Sequence, residues 1–580
     1  MTQVSFCRKR ALLLHRGNWH RGSQYDSRVF SRHFAHWPPG LPRTISIPRT
    51  SVHYNLEVSA RRYPDRRAFA FYGGELTYRR MREEVEALAG FLQRRCGVAR
   101  GDRVVLYAQN SPQFVIGYYA VLRADAVVVP ANPMVKSDEL AHYVEDSGAH
   151  VIIAAQELWP CVAPFVGRSL RHCVLGAYSD YIDPTSDLPL PDFVRAPRED
   201  PRRTGVTLWH DALTAGEQPG ESVAGDTDLA VLPYTSGTTG KPKGCRLTHR
   251  NLLATSTGGI AWSGFTCEAV GLGVLPLFHL TGMQASMNQT IQLGASSALM
   301  ARWDRDCAAM LIERYRVTTW TAITTMVVDF LANPKLAQYD LSSLQRIGGG
   351  GAAMPEAVAK RVHEVFGLEF IEGYGLTEVA APSHTNPMHR PKRQCAGIPF
   401  VNTDARVLSV EDFRELGPNE VGEIVVEGPQ VFDGYWNQPQ ATDEAFVAHD
   451  GKKFFRTGDL GYYDEEGYFF VTDRLKRMIN ASGFKVWPAE VEAMLYAHPD
   501  IQEACVIGTR DAHRGETVKA VVVLKDAARG RVLPEDIVSW SRERMAAYKA
   551  PRVVEFAQAL PRTGTGKIFW RKLQEEENRK

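Results

Sequence analysis

From about Ser51 onward, apolar residues recur along the chain in two alternating rhythms. Between Arg79 and Arg95 they fall at Met81, Val85, Leu88 and Leu92, the spacing of one face of a helix. Short unbroken apolar runs occupy Asp102–Tyr107 (DRVVLY), Ala126–Val129, Val151–Ala154 and Leu229–Leu232, and each predicts a buried strand. Helices between such strands predict a largely parallel α/β architecture. The stretch Leu188–Pro219 is rich in Pro, Gly, Asp and Thr and is expected to be a connecting loop region.

The texture changes after about residue 400. EIVVE at Glu423–Glu427, YFFVT at Tyr468–Thr472 and the turn signal Asp464–Gly467 predict a smaller β-rich section. Helical character resumes over Pro488–Tyr496 and again over Pro534–Met545, with strands expected at Ala504–Gly508 and Lys519–Leu524. A boundary is expected near Asp473–Lys476, dividing the chain into a body over 46–473 and an α+β domain over 474–580. No internal repeat or long low-complexity segment is present.

Composition narrows the class. The chain has 580 residues, 44% hydrophobic and 23% charged, which fits a globular protein of more than one domain. No apolar run reaches the ~18 residues of a membrane span, since even Val115–Val129 holds Arg123 and Asp125. Net charge is +2, but residues 1–40 carry seven Lys/Arg against one acid, so they hold +6 and the remainder −4. A body of that sign gives no argument for nucleic acid. The basic leader, residues 1–45, is expected to lie outside the fold, as a disordered tail or a transit peptide. Nine cysteines without a C-x-x-C pair argue against a zinc site and for reduced thiols in a cytoplasmic setting. A mitochondrial matrix is the alternative if the leader is a transit peptide.

Candidate chemistry begins at Tyr234–Gly244, YTSGTTGKPKG, after the run Leu229–Leu232. Gly237, Gly240 and Gly244 let the backbone approach an anion. Thr235, Ser236, Thr238 and Thr239 offer hydroxyl donors, and Lys241 and Lys243 offer positive charge. The spacing is not that of the familiar phosphate loop, which keeps a Ser/Thr after Gly-Lys. A flexible surface turn is the competing explanation. Thr248 is expected to cap a helix that begins HRNLLA.

This loop resembles the signature of the adenylate-forming superfamily, which includes acyl-CoA synthetases, coumarate-type ligases, luciferases and peptide-synthetase adenylation domains. Further motifs follow in family order, from about residue 50 to residue 575. LPLFHLTGM at Leu275–Met283 is similar to the second core motif, and His279 would sit at the acyl pocket. GGGGAAMP at Gly348–Pro355 looks like the adenine-side loop, with Gly350, Gly351 and Ala352. GYGLTE holds Gly373, Tyr374, Gly375, Thr377 and Glu378: an aromatic for adenine, a hydroxyl for the α-phosphate or acyl carboxylate, and a carboxylate for Mg²⁺. Thr235 matches a second Mg²⁺ position.

The block Gly422–Trp436 (GEIVVEGPQVFDGYW) is similar to the next family motif, and RTGDL carries Asp459 for both ribose hydroxyls. In DRLKRMINASGFKVWPAEVE, Arg474 matches a ribose contact, Lys476 the hinge, and Ser482 with Gly483 the lining of the CoA tunnel. PRTGTGKIFWRKL holds Lys567 at the position of the catalytic lysine. Single residues have plainer readings: His279 as a core histidine, the Thr377–Glu378 pair as a helix cap, Lys567 as a solvated charge.

The resemblance implies a large adenylation domain of αβαβα-layered sheets with a β-rich subdomain, and a small mobile C-terminal domain. It implies ATP, Mg²⁺ and CoA, and a carboxylic acid as substrate. The segments Thr324–Leu331 (TTMVVDFL) and GGGGAAM are mostly small or apolar, which suits a medium or long fatty acyl chain; aryl acids are the runner-up. No acid stands in LPLFHLTGM to hold an ammonium group, which argues against an amino acid. With no carrier segment after Lys580, CoA is the expected acceptor, and a separate carrier protein the alternative. A silent binding protein would be expected to have lost Lys567, Glu378 or Asp459. Peripheral membrane contact is open to such an enzyme, with no anchor beyond the leader. Three positions depart from the family pattern: Asp125, where relatives usually carry Gly, Cys245, and Arg477, which takes a place often acidic.

Overall fold

The computed structural model describes residues 29–235, 242–351, 353–474, 477, 479–481, 484–486, 488–511, 515–562 and 568–579. Two largely parallel sheets form the body. The seven-stranded sheet runs in space Leu247–Thr248, Leu229–Val231, Val127–Pro130, Arg103–Tyr107, Val151–Ala155, His172–Gly176, Val206–Leu208. The nine-stranded sheet runs Ile398–Pro399, Ala381–Thr385, Phe370–Leu376, Arg346–Gly350, Thr319–Ala322, Val270–Gly273, Ser296–Leu299, Arg67–Phe71, Gly74–Thr77. In both, the central strands pair parallel and their inward residues are fully buried.

A helix buried on all sides separates the sheets. Pro112–Arg123 starts on a Ser111 cap, and almost every residue in it is buried. Gly117 faces Leu106 and Ile153 of the seven-stranded sheet. On the other side Tyr118 and Tyr119 reach the Asn288 side chain at 3.2 and 3.0 Å. Just after this helix, Asp125 has a left-handed backbone (φ 58°). Asp tolerates that conformation better than most residues, though less well than Gly. Its buried carboxylate accepts from Ser222 Oγ at 2.6 Å, Val223 N at 2.9 Å and Ala224 N at 3.2 Å. The departure from glycine is therefore a staple on the segment ahead of the strand Leu229–Val231. Asp125→Ala is expected to lower stability by about 2 kcal/mol, and Asp125→Gly by less because it relieves the backbone. Urea denaturation midpoints check this; unchanged midpoints would remove the staple.

Two sequence expectations need correction. Leu188–Pro219 is not continuous loop: it holds the short helices Asp192–Arg195 and Trp209–Thr214 and the edge strand Val206–Leu208. Trp209 is 2% exposed, so one buried aromatic fixes a stretch whose polar composition reads as loop. The leader also ends earlier than residue 45. Phe30 lies edge-on to Tyr463 and Phe469, Trp37 meets Trp262, and Ile45 exchanges two backbone bonds with the Asn402 amide. Aromatic burial outweighs the basic character of this stretch; residues 1–28 lie outside the described residues.

The β-rich section is an antiparallel sheet of Asp404–Leu408, Gly422–Glu427, Lys452–Tyr463 and Phe446–His449, with Phe469–Arg474 also paired to Lys452–Tyr463. Beyond it, Phe484–Val486, Ile479–Ala481, Gly515–Leu524, Ile501–Asp511 and Val553–Phe556 form a separate sheet. Period-two alternation buries both of its faces: Ala504 and Val506 join one apolar cluster, Cys505 and Ile507 another that includes Trp570 of the last helix. Among the described residues no helix is long and apolar enough to cross a membrane.

Candidate active site

The phosphate-type loop is held at its two ends. Tyr234–Thr235 pairs antiparallel with Lys243–Gly244. The Tyr234 hydroxyl donates to Asp146 Oδ2 at 2.6 Å, and Pro242 O lies 2.8 Å from His142 Nε2. Thr248 caps the following helix in a capping box with Asn251. The Asn251 amide then donates to Pro429 O and Val431 O, both at 2.9 Å, joining the loop's helix to the block 422–436. Trp436 N donates to Gly244 O at 2.8 Å and Arg246 N to Gly434 O at 2.9 Å.

GYGLTE occupies the end of the strand Phe370–Leu376 and the turn Thr377–Val379. Gly350 stands in register with Gly373 of that strand. A Cβ on Gly350 would lie 2.2 Å from Gly373 O, and one on Gly375 would lie 1.9 Å from Ala381 O, so neither position has room for a side chain. Tyr374 OH donates to Asp459 Oδ2 at 2.6 Å across 85 residues of sequence. Asp459 is buried and faces Arg474 in the antiparallel register. The aromatic and the carboxylate expected at a nucleoside therefore meet at one edge of the body, beside the backbone of the expected arginine.

Glu378 adjoins the loop. Phe432 N donates to Glu378 O at 2.8 Å, and Tyr435 OH donates to Glu378 Oε1 at 3.0 Å. Lys243 Nζ sits 5.1 Å from the centre of the Tyr435 ring. Cys245 is fully buried between these groups, hydrogen-bonded to the Thr235 side chain; burial and the Glu378 charge push its thiol well above the ordinary range. Such a thiol is inert. Thr235 and Glu378 thus supply a hydroxyl and a carboxylate around one buried residue, a hard oxygen set that fits Mg²⁺.

LPLFHLTGM is splinted from the other sheet: Asn110 Nδ2 donates to Leu275 O at 2.9 Å and Asn110 Oδ1 accepts from Leu277 N at 2.8 Å. His279 caps the short helix Leu280–Gly282, which runs into a π-helical stretch over Met283–Asn288. Glu372 is buried, with its carboxyl raised by burial, and accepts from Met354 N at 2.6 Å and Cys395 N at 3.1 Å. It therefore anchors the end of GGGGAAM. Arg477 pairs with Glu492 and lies 3.9 Å from Asp473, whose other oxygen accepts from Ala489 N at 2.7 Å. This departure is a structural ion pair at the start of the small domain.

The sequence reading missed Asp146, Asn110, Glu372 and Tyr435. Asp146, Asn110 and Glu372 lie in none of the motifs, and Tyr435 lies in the block 422–436 with no role read from it; each matters through a partner apart from it in sequence. Ser236, Gly237, Thr238, Thr239, Gly240, Lys241, Ala352, Lys476, Ser482, Gly483 and Lys567 lie outside the described residues, as does the side chain of Arg474. The ends of the Lys567 segment are described: Arg562 faces Ile568, and Phe569 N donates to Pro561 O at 2.7 Å.

Comparison with known proteins agrees with this geometry. Residues 56–436 match the model of the AMP-binding enzymes, and residues 490–567 match the model of the AMP-binding enzyme C-terminal domain. A long-chain-fatty-acid–CoA ligase of Bacillus subtilis is 38% identical over 559 residues, covering 94% of this chain and 97% of that one. A feruloyl-CoA synthase of Amycolatopsis sp. is 36% identical, covering 88% and 96%. The crystal structure of ATP-bound MatB from Rhodopseudomonas palustris superposes with a TM-score of 0.78 at 27% identity, over 91% of this chain and 99% of that one. The chain belongs to the AMP-binding enzymes, the adenylate-forming superfamily, and within it to the acyl-CoA synthetase type.

Proposed function

We propose that this protein is an AMP-forming acid–CoA ligase whose acid is a medium- or long-chain fatty acid. The observation that carries it is the Tyr374–Asp459 bond at 2.6 Å, with Arg474 in register opposite Asp459. In this reading that edge would receive the adenosine and the loop would hold the phosphates.

A free carboxylate is a poor acyl donor because oxide is a poor leaving group. In the first half-reaction a carboxylate oxygen attacks the α-phosphorus of ATP; the α–β bridge bond breaks and pyrophosphate leaves. Both reactants are anionic. The loop's backbone N–H groups and Ser236, Thr238, Thr239, Lys241 and Lys243 would hold the departing pyrophosphate, and Lys567 would offset charge at the reacting phosphate. Gly237 and Gly240 leave room for that approach. Thr377 would orient the α-phosphate or carboxylate, and Gly350, Gly351, Ala352, Gly373 and Gly375 would bed the adenine. Thr235 and Glu378 would hold Mg²⁺, which supplies charge neutralisation among the phosphate oxygens when bound.

In the second half-reaction a thiol attacks the acyl carbon and AMP leaves, giving a thioester. The division at 473/474 would let the small domain turn about Lys476, withdrawing Lys567 and presenting Ser482 and Gly483 to the pantetheine arm. His279 would stand where acyl and thiol meet. A cytoplasmic location goes with this reading; the matrix alternative rests on residues 1–28, outside the described residues.

A pyrophosphate-release screen over short to long fatty acids and aryl acids, with and without CoA, tests the assignment. Release is expected to be greatest with fatty acids and to become acyl-CoA formation when CoA is present. Preference for cinnamate-type acids would transfer the assignment to the aryl class. Silence with every acid would overturn the ligase reading.

A further inference from the structure

One side chain links the loop hairpin to Glu378 and belongs to neither. Tyr435 is fixed on the hairpin side by its backbone: it bridges Cys245, and the next residue, Trp436, donates to Gly244 O at 2.8 Å. Its own N–H donates to Thr442 Oγ1 at 2.9 Å. Its ring lies under Lys243, and its hydroxyl donates to Glu378 Oε1 at 3.0 Å. Glu378 is fixed from the same segment by the bond from Phe432 N to its carbonyl. A stiff aromatic side chain thus spans from the strand that carries Lys243 to one carboxylate oxygen, with little rotamer freedom to lose.

A carboxylate that must hold a cation has two requirements. It must be aimed, and it must stay ionised with a lone pair left over for the metal. A neutral hydroxyl donor on one oxygen aims the group without cancelling its charge, and the two oxygens offer about four lone-pair sites between them. The structure gives Glu378 such a donor in Tyr435, and Cys245, which feels the Glu378 charge, accepts a hydrogen bond from the Thr235 hydroxyl.

We propose that Tyr435 is a positioning residue that presets the Glu378 carboxylate for the divalent cation that accompanies the nucleotide. The inference rests on the ligase reading for the identity of that nucleotide. Tyr435 touches neither substrate nor reacting atoms in this role; it acts through Glu378.

The test is Tyr435→Phe, which keeps the ring beneath Lys243 and removes only the hydroxyl. Calorimetric titration with ATP, once in EDTA and once in Mg²⁺, reads the gain in affinity that the metal confers. In Y435F that gain is expected to shrink about tenfold, with metal-free ATP affinity within about twofold of wild type. Pyrophosphate release should require a higher Mg²⁺ concentration for half activation, while thioester formation from supplied acyl-adenylate stays near the wild-type rate. A merely structural tyrosine would weaken both titrations and both half-reactions together, and that result would overturn the proposal. So would an unchanged Mg²⁺ dependence, or no Mg²⁺ gain in the wild type.

Should Y435F fold poorly, the same titrations on Tyr435→His and on the pair with Glu378→Gln decide the matter. If Tyr435 acts through Glu378, its loss costs the metal gain nothing further in the E378Q background; an additive loss would overturn the idea. The titration uses no acid. Silence in the acid screen alongside a lost Mg²⁺ gain in Y435F would sink the ligase reading and leave this one standing.

Discussion

Lys567→Ala is expected to slow adenylate formation by about a hundredfold to a thousandfold while leaving thioester formation from supplied acyl-adenylate near its normal rate. The attack joins a carboxylate to a phosphate, and one ammonium would offset much of the repulsion as charge moves to the bridging oxygen. In the second half-reaction the leaving group is already AMP, and no second anion approaches the phosphorus. The segment that carries Lys567 is anchored at both ends, with Arg562 opposite Ile568. Truncating the side chain should therefore leave the small domain folded. Pyrophosphate exchange reports the first step, and single-turnover transfer from acyl-adenylate to CoA reports the second. Equal losses in both would remove Lys567 from the role proposed for it.

Asp404→Ala is expected to cost about 3–5 kcal/mol of stability, because it strips a partner from the buried Arg406 and the half-buried Lys452. The Asp404 carboxylate, with a side chain 2% exposed, accepts from Arg406 Nε at 2.8 Å, Lys452 Nζ at 2.8 Å and Phe30 N at 3.1 Å. Arg406 is itself 7% exposed, with Glu415 at 2.9 Å as a second partner. Removing Asp404 would take from Lys452 its partner at 2.8 Å and leave the Phe30 amide without its acceptor. The lesion also frees the packed segment around Phe30 from the sheet that carries Asp459. A large fall in the urea midpoint is expected, with earlier proteolysis near residue 30. A loss below about 1 kcal/mol would show that water and Glu415 replace the carboxylate.

Local elements were largely legible. The helix read over Arg79–Arg95 is Tyr78–Arg94, and the strand read over Asp102–Tyr107 is Arg103–Tyr107. Thr248 caps its helix as expected. These signals are local: side-chain spacing sets which face is buried, and a capping hydroxyl reaches only three residues on. The failures have the same origin. A polar stretch at 188–219 reads as loop because nothing nearby reveals that Trp209 is buried. The basic stretch before residue 45 reads as tail because the partners of Phe30 lie more than 370 positions away, at Asp404.

The candidate site divides along the same line. The order of chemical groups, YTSGTTGKPKG then GYGLTE then RTGDL, was written in the sequence and carried the family. Which group meets which was not. Tyr374 meets Asp459, Asn251 meets Pro429, and Tyr435 meets Glu378 only because strand register and sheet packing bring them within hydrogen-bond distance. Asp125 looked like a blemish until its left-handed backbone and three bonds were seen. The sequence by itself determined the family, the alternation of helix and strand and the kinds of donor at hand. Tertiary structure alone decided how those donors are paired and aimed, because a hydrogen bond between distant residues depends on ångström-scale placement that local composition does not encode.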